Sequence, residues 1–268
     1  MELATHALSK PRDAYYWRLL ATAASFCLFG IGGLCLRVLV FPLLACLPGD
    51  AQAHRRRARA VVSRLFWLFI RFMYRTGVLT YSVSGAERLG RPGQMIIANH
   101  PSLIDVVFLI GLVRDANCVV KQSLWQYPFT RGPVRSTGYI SNDGSMDMLD
   151  TAVAALQGGQ TLIIFPEGTR TQPGHAPAFH RGAAAIALRG AKIITPVTIT
   201  VSPTTLTKAE PWYRIPTRRV HFSLRVGADI EPHTFAATGP APQASRRLND
   251  FLHQHFIKEL AIDEPARP

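Results

Sequence analysis

Between Leu19 and Leu47 the chain runs for 29 residues with Arg37 as its only charge. About 20 apolar residues suffice to cross the hydrocarbon core of a bilayer. As one helix this run would reach about 44 Å at 1.5 Å per residue. A segment of that length and polarity beside basic charge is the pattern of a membrane-bound region. Two layouts fit it. One is a single spanning helix near Leu19–Leu36, followed by an interfacial segment. The other is a re-entrant hairpin that turns at Gly30, Gly32 and Gly33 and returns both ends to one face. Lys10, Arg12 and Arg18 flank the run before, and a larger arginine cluster flanks it after. Basic flanks on both sides favour both ends lying in the cytoplasm, although the second cluster alone would satisfy the positive-inside rule. A cleaved signal peptide is the rival. The late start, the length and Arg37 argue against it.

The charge is concentrated beside this run. The whole chain carries 30 Lys and Arg against 17 Asp and Glu, a formal charge of +13. Residues 1–78 hold eleven basic and three acidic residues, a net of +8, whereas the much longer remainder holds only +5. Basic charge packed against apolar sequence points to an anionic membrane surface rather than a nucleic-acid groove. From Ala51 to Ala86 there is no acidic residue but there are seven arginines. Over Arg56–Arg75, the arginines at 57, 64, 71 and 75 fall on one helical stripe. Val61, Val62, Leu65, Phe66, Leu68, Phe69, Ile70, Phe72 and Met73 fill the other faces. This pattern predicts an amphipathic helix at the membrane interface. A core helix of the following domain is the alternative. Of the four cysteines, Cys27, Cys35 and Cys46 lie in the apolar run and Cys118 in a strand-like run. With no CxxC pair they exclude a disulfide scaffold and argue against a zinc site.

After residue 78 short apolar runs alternate with helical stretches. Strands are predicted at Leu79–Val83, Gln94–Ala98, Asn117–Lys121, Tyr139–Ser141, Thr161–Phe165, Lys192–Val201 and Val220–Val226. Helices are predicted at Ser102–Val113, Met146–Leu156, Arg181–Arg189 and Gln243–Leu260. The fold class expected is α/β, a central and mostly parallel sheet flanked by helices, behind an N-terminal membrane-associated helical region. The domain division expected is 1–78 for the anchor, 79–262 for the α/β domain and 263–268 for a disordered tail. Pro203–Pro216 reads as a surface loop.

Two elements carry chemistry. Asn99-His100-Pro101-Ser102-Leu103-Ile104-Asp105 leaves a strand and enters a helix. A turn there can bring Asp105 against one nitrogen of His100 and leave the other as a general base. Ser102 to Asp105 also fits the Ser-x-x-Asp form of a capping box, which needs no catalysis. Phe165-Pro166-Glu167-Gly168-Thr169-Arg170 follows a buried strand and offers a carboxylate, a hydroxyl and a guanidinium suited to phosphate or carboxylate. A turn with a surface ion pair is the plain alternative. No His-Glu-x-x-His or other dense ligand cluster points to a metal.

Taken together, these elements resemble the 1-acylglycerol-3-phosphate acyltransferase (lysophospholipid acyltransferase) family. His100–Asp105 matches its His-x4-Asp motif, Phe165–Arg170 its Phe-Pro-Glu-Gly-Thr-Arg motif, and Thr195–Ile199 its late Pro-Val-x-Ile motif. Lys121, Leu124, Pro128, Phe179, Arg181 and Gly182 agree between them, so the resemblance spans Leu79–Val226. It implies direct acyl transfer from a thioester, on coenzyme A or acyl carrier protein, to a lipid acceptor in a ternary complex, with no cofactor and no metal. It implies that His100 is the base and that Asp105 orients it. Glu167, Gly168, Thr169 and Arg170 would contact the acceptor near its phosphate. Lys121 and Asn99 are further candidate substrate contacts, Lys121 having the plain alternative of a strand-end lysine in water. The implied location is a membrane, with the catalytic domain on the cytoplasmic face, as at a bacterial inner membrane.

One departure bears on the acceptor. Where the family has Gly followed four residues later by Arg, this chain has Gly138-Tyr139-Ile140-Ser141-Asn142-Asp143. Replacing a fixed positive charge with Asn142, beside Asp143, weakens the case for a glycerol phosphate dianion. The stretch is loosely similar to acyltransferases of specialised lipids such as aryl polyenes, so a non-phosphate acceptor is the alternative. A thioesterase or hydrolase built on the same residues is a more remote one.

Overall fold

The computed structural model describes residues 13–208, 210–236 and 240–263. Helices are α1 (Tyr15–Cys35), α2 (Phe41–Ala45), α3 (Ala51–Arg75), α4 (Asp105–Leu112), α5 (Pro128–Thr137), α6 (Met146–Gln157), α7 (Gly182–Gly190), α8 (His233–Ala236) and α9 (Ala241–Asp263). Strands are β1 (Leu79–Ser84), β2 (Gln94–Ala98), β3 (Ala116–Lys121), β4 (Ile140–Asn142), β5 (Thr161–Ile164), β6 (Ile193–Ser202) and β7 (Val220–Val226). They form one sheet in the order β1-β7-β6-β2-β5-β3-β4. The five strands from β6 to β4 are mutually parallel, and β7 turns back antiparallel to β6 with β1 parallel to it.

Period-two alternation divides the sheet between two cores. Ile96 and Ala98 of β2 and Ile163 of β5 face the core beneath α3 and α4. Met95, Ile97, Leu162 and Ile164 face the core beneath α6, α7 and α9, where Leu248, Leu252 and Phe256 are buried. The parallel strands therefore read as unbroken apolar runs, as strands covered on both faces must.

The apolar run is one helical rod. A π-helical turn at Leu36–Val40 joins α1 to α2, and Tyr15–Ala45 forms a 31-residue helix long and apolar enough to cross a membrane. The hairpin layout is overturned: Gly30, Gly32 and Gly33 are all helical. Gly33 serves a close crossing instead. A Cβ on it would meet the Phe129 carbonyl at 2.6 Å, and a Cβ on Gly132 of α5 would meet Arg37 Cβ at 2.6 Å. Pro133 has no N–H to give Phe129, so that carbonyl lacks its intrahelical donor and lies against Gly33.

Helix α3 packs into the domain that follows residue 78. Ala58, Val62, Ile70 and Met73 of α3 are buried in the same core as β1 and α4. Arg59, one of the seven arginines, is buried too. Its Nε donates to the Thr137 carbonyl at 2.9 Å and its NH1 lies 3.4 Å from Asp115. Helix α3 is thus a layer of the α/β domain with an outer face of Arg64, Leu65, Leu68, Arg71 and Tyr74, because its apolar residues are too many for one lipid-facing stripe. Pro203–Pro216 is not a simple surface loop, since Thr205 and Leu206 are buried. Helix α9 includes Asp263, while residues 264–268, Lys10 and Arg12 lie outside the described residues. Helix α5 was not predicted from sequence, because Pro128, Gly132 and Pro133 mask it; Pro128 at its first turn is where proline suits a helix.

Candidate active site

Loops that leave parallel strands meet at the carboxyl edge of the sheet, the usual place for a site in such a fold. The segments after β2, β3, β4 and β5 all end there. They bring His100, Lys121, Asn142 and the Phe165–Arg170 turn to one rim.

The turn from β2 into α4 positions the first pair. His100 Nδ1 lies 3.0 Å from Asp105 Oδ2, and the same oxygen accepts the Ser102 N–H at 2.6 Å. The dyad therefore coexists with one arm of the capping box only. The acidic arm of the box reaches back to Ser102, while Ser102 Oγ donates to the Thr205 carbonyl at 3.0 Å. Asp105 is wholly buried, and His100 keeps 17% of its side chain exposed. Its ring stacks on Phe165 with centroids 4.4 Å apart. A carboxylate on Nδ1 favours the tautomer with the proton there, which leaves Nε2 as the basic nitrogen. Nε2 has no hydrogen-bond partner among the described residues. Burial raises the Asp105 carboxyl above its ordinary range, against the pull of the His100 and Ser102 hydrogen bonds and the Arg170 charge.

The second turn is braced to the first. Glu167 Oε1 accepts the His100 N–H at 2.9 Å, and Thr171 N donates to the His100 carbonyl at 3.0 Å. Thr171 Oγ1 donates to Glu167 Oε2. Burial raises the Glu167 carboxyl, and the Thr171 and His100 hydrogen bonds oppose it. Arg170 NH1 donates to the Leu206 and Thr207 carbonyls at 2.7 and 3.0 Å. Leu103 N donates to Leu206 as well, at 3.2 Å. Segment 205–207 is thus a strap over both turns.

The structure treats the expected contact residues differently. Asn99 is buried, its Nδ2 donating to Ile199 O at 2.8 Å and its Oδ1 accepting Ile199 N–H at 2.7 Å. Both polar groups of Asn99 are committed to β6, so its side chain fastens β2 to that strand. Glu167 is also buried and committed, and Arg170 is turned to the strap. Gly168 and Thr169 are exposed. Gly168 has φ +64°, which favours glycine. Lys121 is exposed at the end of β3, in register with Asn142. A Cβ on Gly168 would lie 3.4 Å from the His180 ring and 3.8 Å from Asn142 Nδ2. His180 escaped the sequence reading, although it stands inside the Phe179–Gly182 agreement. Ser102 and Thr171 carried the only other signal, their position within or next to a motif. Among the described residues no group of three His, Cys, Asp or Glu side chains is placed to hold a metal ion.

Residues 80–200 match the family model described as Acyltransferase. The chain is 30% identical over 125 residues to a 1-acyl-sn-glycerol-3-phosphate acyltransferase of Pseudomonas aeruginosa, covering 44% of this chain and 49% of that protein. It is 28% identical over 157 residues to the protein of that name from Saccharomyces cerevisiae, covering 55% and 50%. In these alignments the chain spans about half the length of the curated relatives it matches. The crystal structure of the 1-acyl-sn-glycerophosphate (LPA) acyltransferase PlsC from Thermotoga maritima superposes with a TM-score of 0.71 at 20% identity, over 94% of this chain and 97% of that one. That likeness establishes the shared fold.

Proposed function

We propose, from the match of residues 80–200 to the acyltransferase family model, that the chain transfers a fatty acyl group from a thioester to a lysophospholipid-type acceptor at a membrane. The observation that carries this is the contact of 3.0 Å between His100 Nδ1 and Asp105 Oδ2, with Nε2 left unpartnered. His100 Nε2 takes the proton of the acceptor hydroxyl as its oxygen attacks the thioester carbonyl. The C–O bond forms, the C–S bond breaks, and the imidazolium returns the proton to the departing thiolate. Asp105 fixes the tautomer and stabilises the imidazolium. No serine or cysteine nucleophile is needed. The donor is an acyl-coenzyme A or acyl carrier protein.

The membrane setting is supported by exposed Leu20, Leu28, Ile31, Leu39 and Leu43 on the N-terminal rod. The same side carries exposed Trp212 and Tyr213, and Phe26 of α1 packs on Trp212. Leu103, inside the catalytic turn, is exposed as well. A rim of this kind gives a lipid acceptor a short path from the bilayer to His100, and the arginines of α3 set the domain on the cytoplasmic face.

The test is thiol release from acyl-coenzyme A or acyl carrier protein with a panel of acceptors. Release should require an acceptor and should fall by about 10²–10⁴ in His100→Ala. Equal release without acceptor would establish a hydrolase instead.

A specific arrangement favours a second reading of the acceptor. Asn142 and His180 flank Gly168, while the Arg170 guanidinium is held by two carbonyls. A neutral headgroup with hydroxyls or an amide suits that surface better than a phosphate dianion. Preference for a non-phosphate acceptor over lysophosphatidic acid in the same panel would decide for it.

A further inference from the structure

A cleft of about 550 Å³ opens beside the two catalytic turns, on the side away from the N-terminal rod. Asn99, Pro101, Glu167 and Thr171 form its inner end, so it abuts His100 through the residues on either side of it. Its outer walls are the 172–177 loop, the 199–205 stretch of β6 and beyond, and Ile257, Leu260 and Ala261 at the end of α9. Among the described residues none before Asn99 lines it, so the apolar helices α1 and α3 take no part.

The lining is mixed and almost uncharged. Ile199, Val201 and Leu260 supply apolar surface, while Gln172, Thr200 and Ser202 supply groups that both donate and accept hydrogen bonds. Among the described residues no lysine or arginine lines the cleft, and His175 is its basic side chain. Its one carboxylate, Glu167, already accepts from His100 and Thr171. A phosphate would meet no fixed positive charge here. An acyl chain would leave the hydroxyls unmatched. A flexible neutral chain carrying secondary amides fits both demands, with amides meeting the hydroxyls and methylenes meeting the apolar wall.

We propose that this cleft takes the neutral diamide arm, the pantetheine moiety, that carries the acyl group in both candidate donors. This deepens the acyl-transfer reading and rests on it. The donor then enters from the water side along α9, and the lipid acceptor enters from the membrane side. The two reactants meet at His100 without crossing, as direct transfer in a ternary complex requires.

The test needs no turnover. The full chain in detergent is titrated calorimetrically with pantetheine, which lacks both the phosphates and the acyl group. Ala176→Trp and Ala261→Trp fill the mouth from opposite walls at surface positions. The expected result is binding to the parent chain that weakens by about tenfold or more in each variant, equal to a loss of about 1.4 kcal/mol. In active preparations the donor KM should rise by a similar factor while the acceptor KM stays fixed. Absence of pantetheine binding to the parent, or equal binding to parent and both folded variants, overturns the proposal. A change in preferred acyl length with pantetheine binding unchanged would assign the cleft to the acyl chain and overturn it too. A chain that binds pantetheine at this cleft but releases no thiol would keep the cleft and sink only the acyl-transfer reading.

Discussion

Arg18 in the first helix donates to the carbonyl of Thr217, 199 residues further on, at 2.8 Å. Its other nitrogens reach the carbonyls of Pro216, Arg218 and Asp13 at 3.0, 3.2 and 2.6 Å. The side chain is 2% exposed. Further back along the same segment, Thr205, Leu206 and Thr207 receive Ser102, Leu103 and Arg170. The apolar rod and the catalytic turns are therefore tied to one strap.

Removing the guanidinium should loosen that strap. Arg18→Met keeps the volume but leaves buried carbonyls unmatched, and should lower unfolding free energy by about 3 kcal/mol. Arg18→Lys should not restore it, since an ammonium cannot fork to adjacent carbonyls. Denaturant unfolding in detergent checks this. A loss within about 0.5 kcal/mol of the parent, the range of an inert surface change, would contradict it.

The crossing of α1 and α5 should be equally intolerant of a methyl group. A Cβ on Gly132 would sit 2.6 Å from Arg37 Cβ and 3.2 Å from its Cα, so the helices must part. Gly132→Ala should therefore destabilise by about 1–3 kcal/mol, despite alanine's better helix propensity. A melting temperature equal to or above that of the parent would show that the helices are not held this closely.

Acid carboxyls give a pH signature. Glu167 lies above its ordinary value of 4.5, and burial is the main cause. Below that value both folded and unfolded states hold the proton, so the group costs nothing. As pH rises the unfolded chain releases its proton first, and stability falls until the native carboxyl has ionised. Glu167→Gln removes this contribution and can keep the hydrogen bonds to His100 and Thr171. Its unfolding free energy should thus fall less steeply than the parent's from about pH 4.5 upward. Parallel curves for the two proteins would refute the burial effect at this residue.

Asn142 stands beside Gly168 at the rim, where a cation would face the acceptor. Asn142→Arg should raise kcat/KM for lysophosphatidic acid by about tenfold, as one charge-assisted contact would. The gain should vanish for a neutral acceptor of the same chain length. Efficient use of lysophosphatidic acid by the unchanged protein would undercut the significance given to this position.

Much of the site is readable along the chain because its geometry is local. His100 and Asp105 are joined by one turn, so a five-residue spacing already predicts their contact. Strands β2 and β7 have the predicted bounds, since an apolar run closed by polar residues is a local property. Helix α5 is not readable, because its prolines and glycine oppose a helix until packing against α1 holds it. The commitments of Asn99 and Arg170 are equally hidden. Each depends on a carbonyl or amide roughly 36 to 100 residues away.

The sequence by itself determined the apolar run, the alternating α/β pattern and the two motif-bearing turns. Their signals lie in periodicity and spacing, which short stretches of chain carry alone. Only the tertiary structure decided that the rod is one helix rather than a hairpin, that α3 is a wall of the domain, and that a strap fastens Arg18 and Arg170. Those outcomes turn on close approach and on which distant carbonyl meets a buried charge. Contacts between residues far apart in sequence exist only once the sheet has set its strand order.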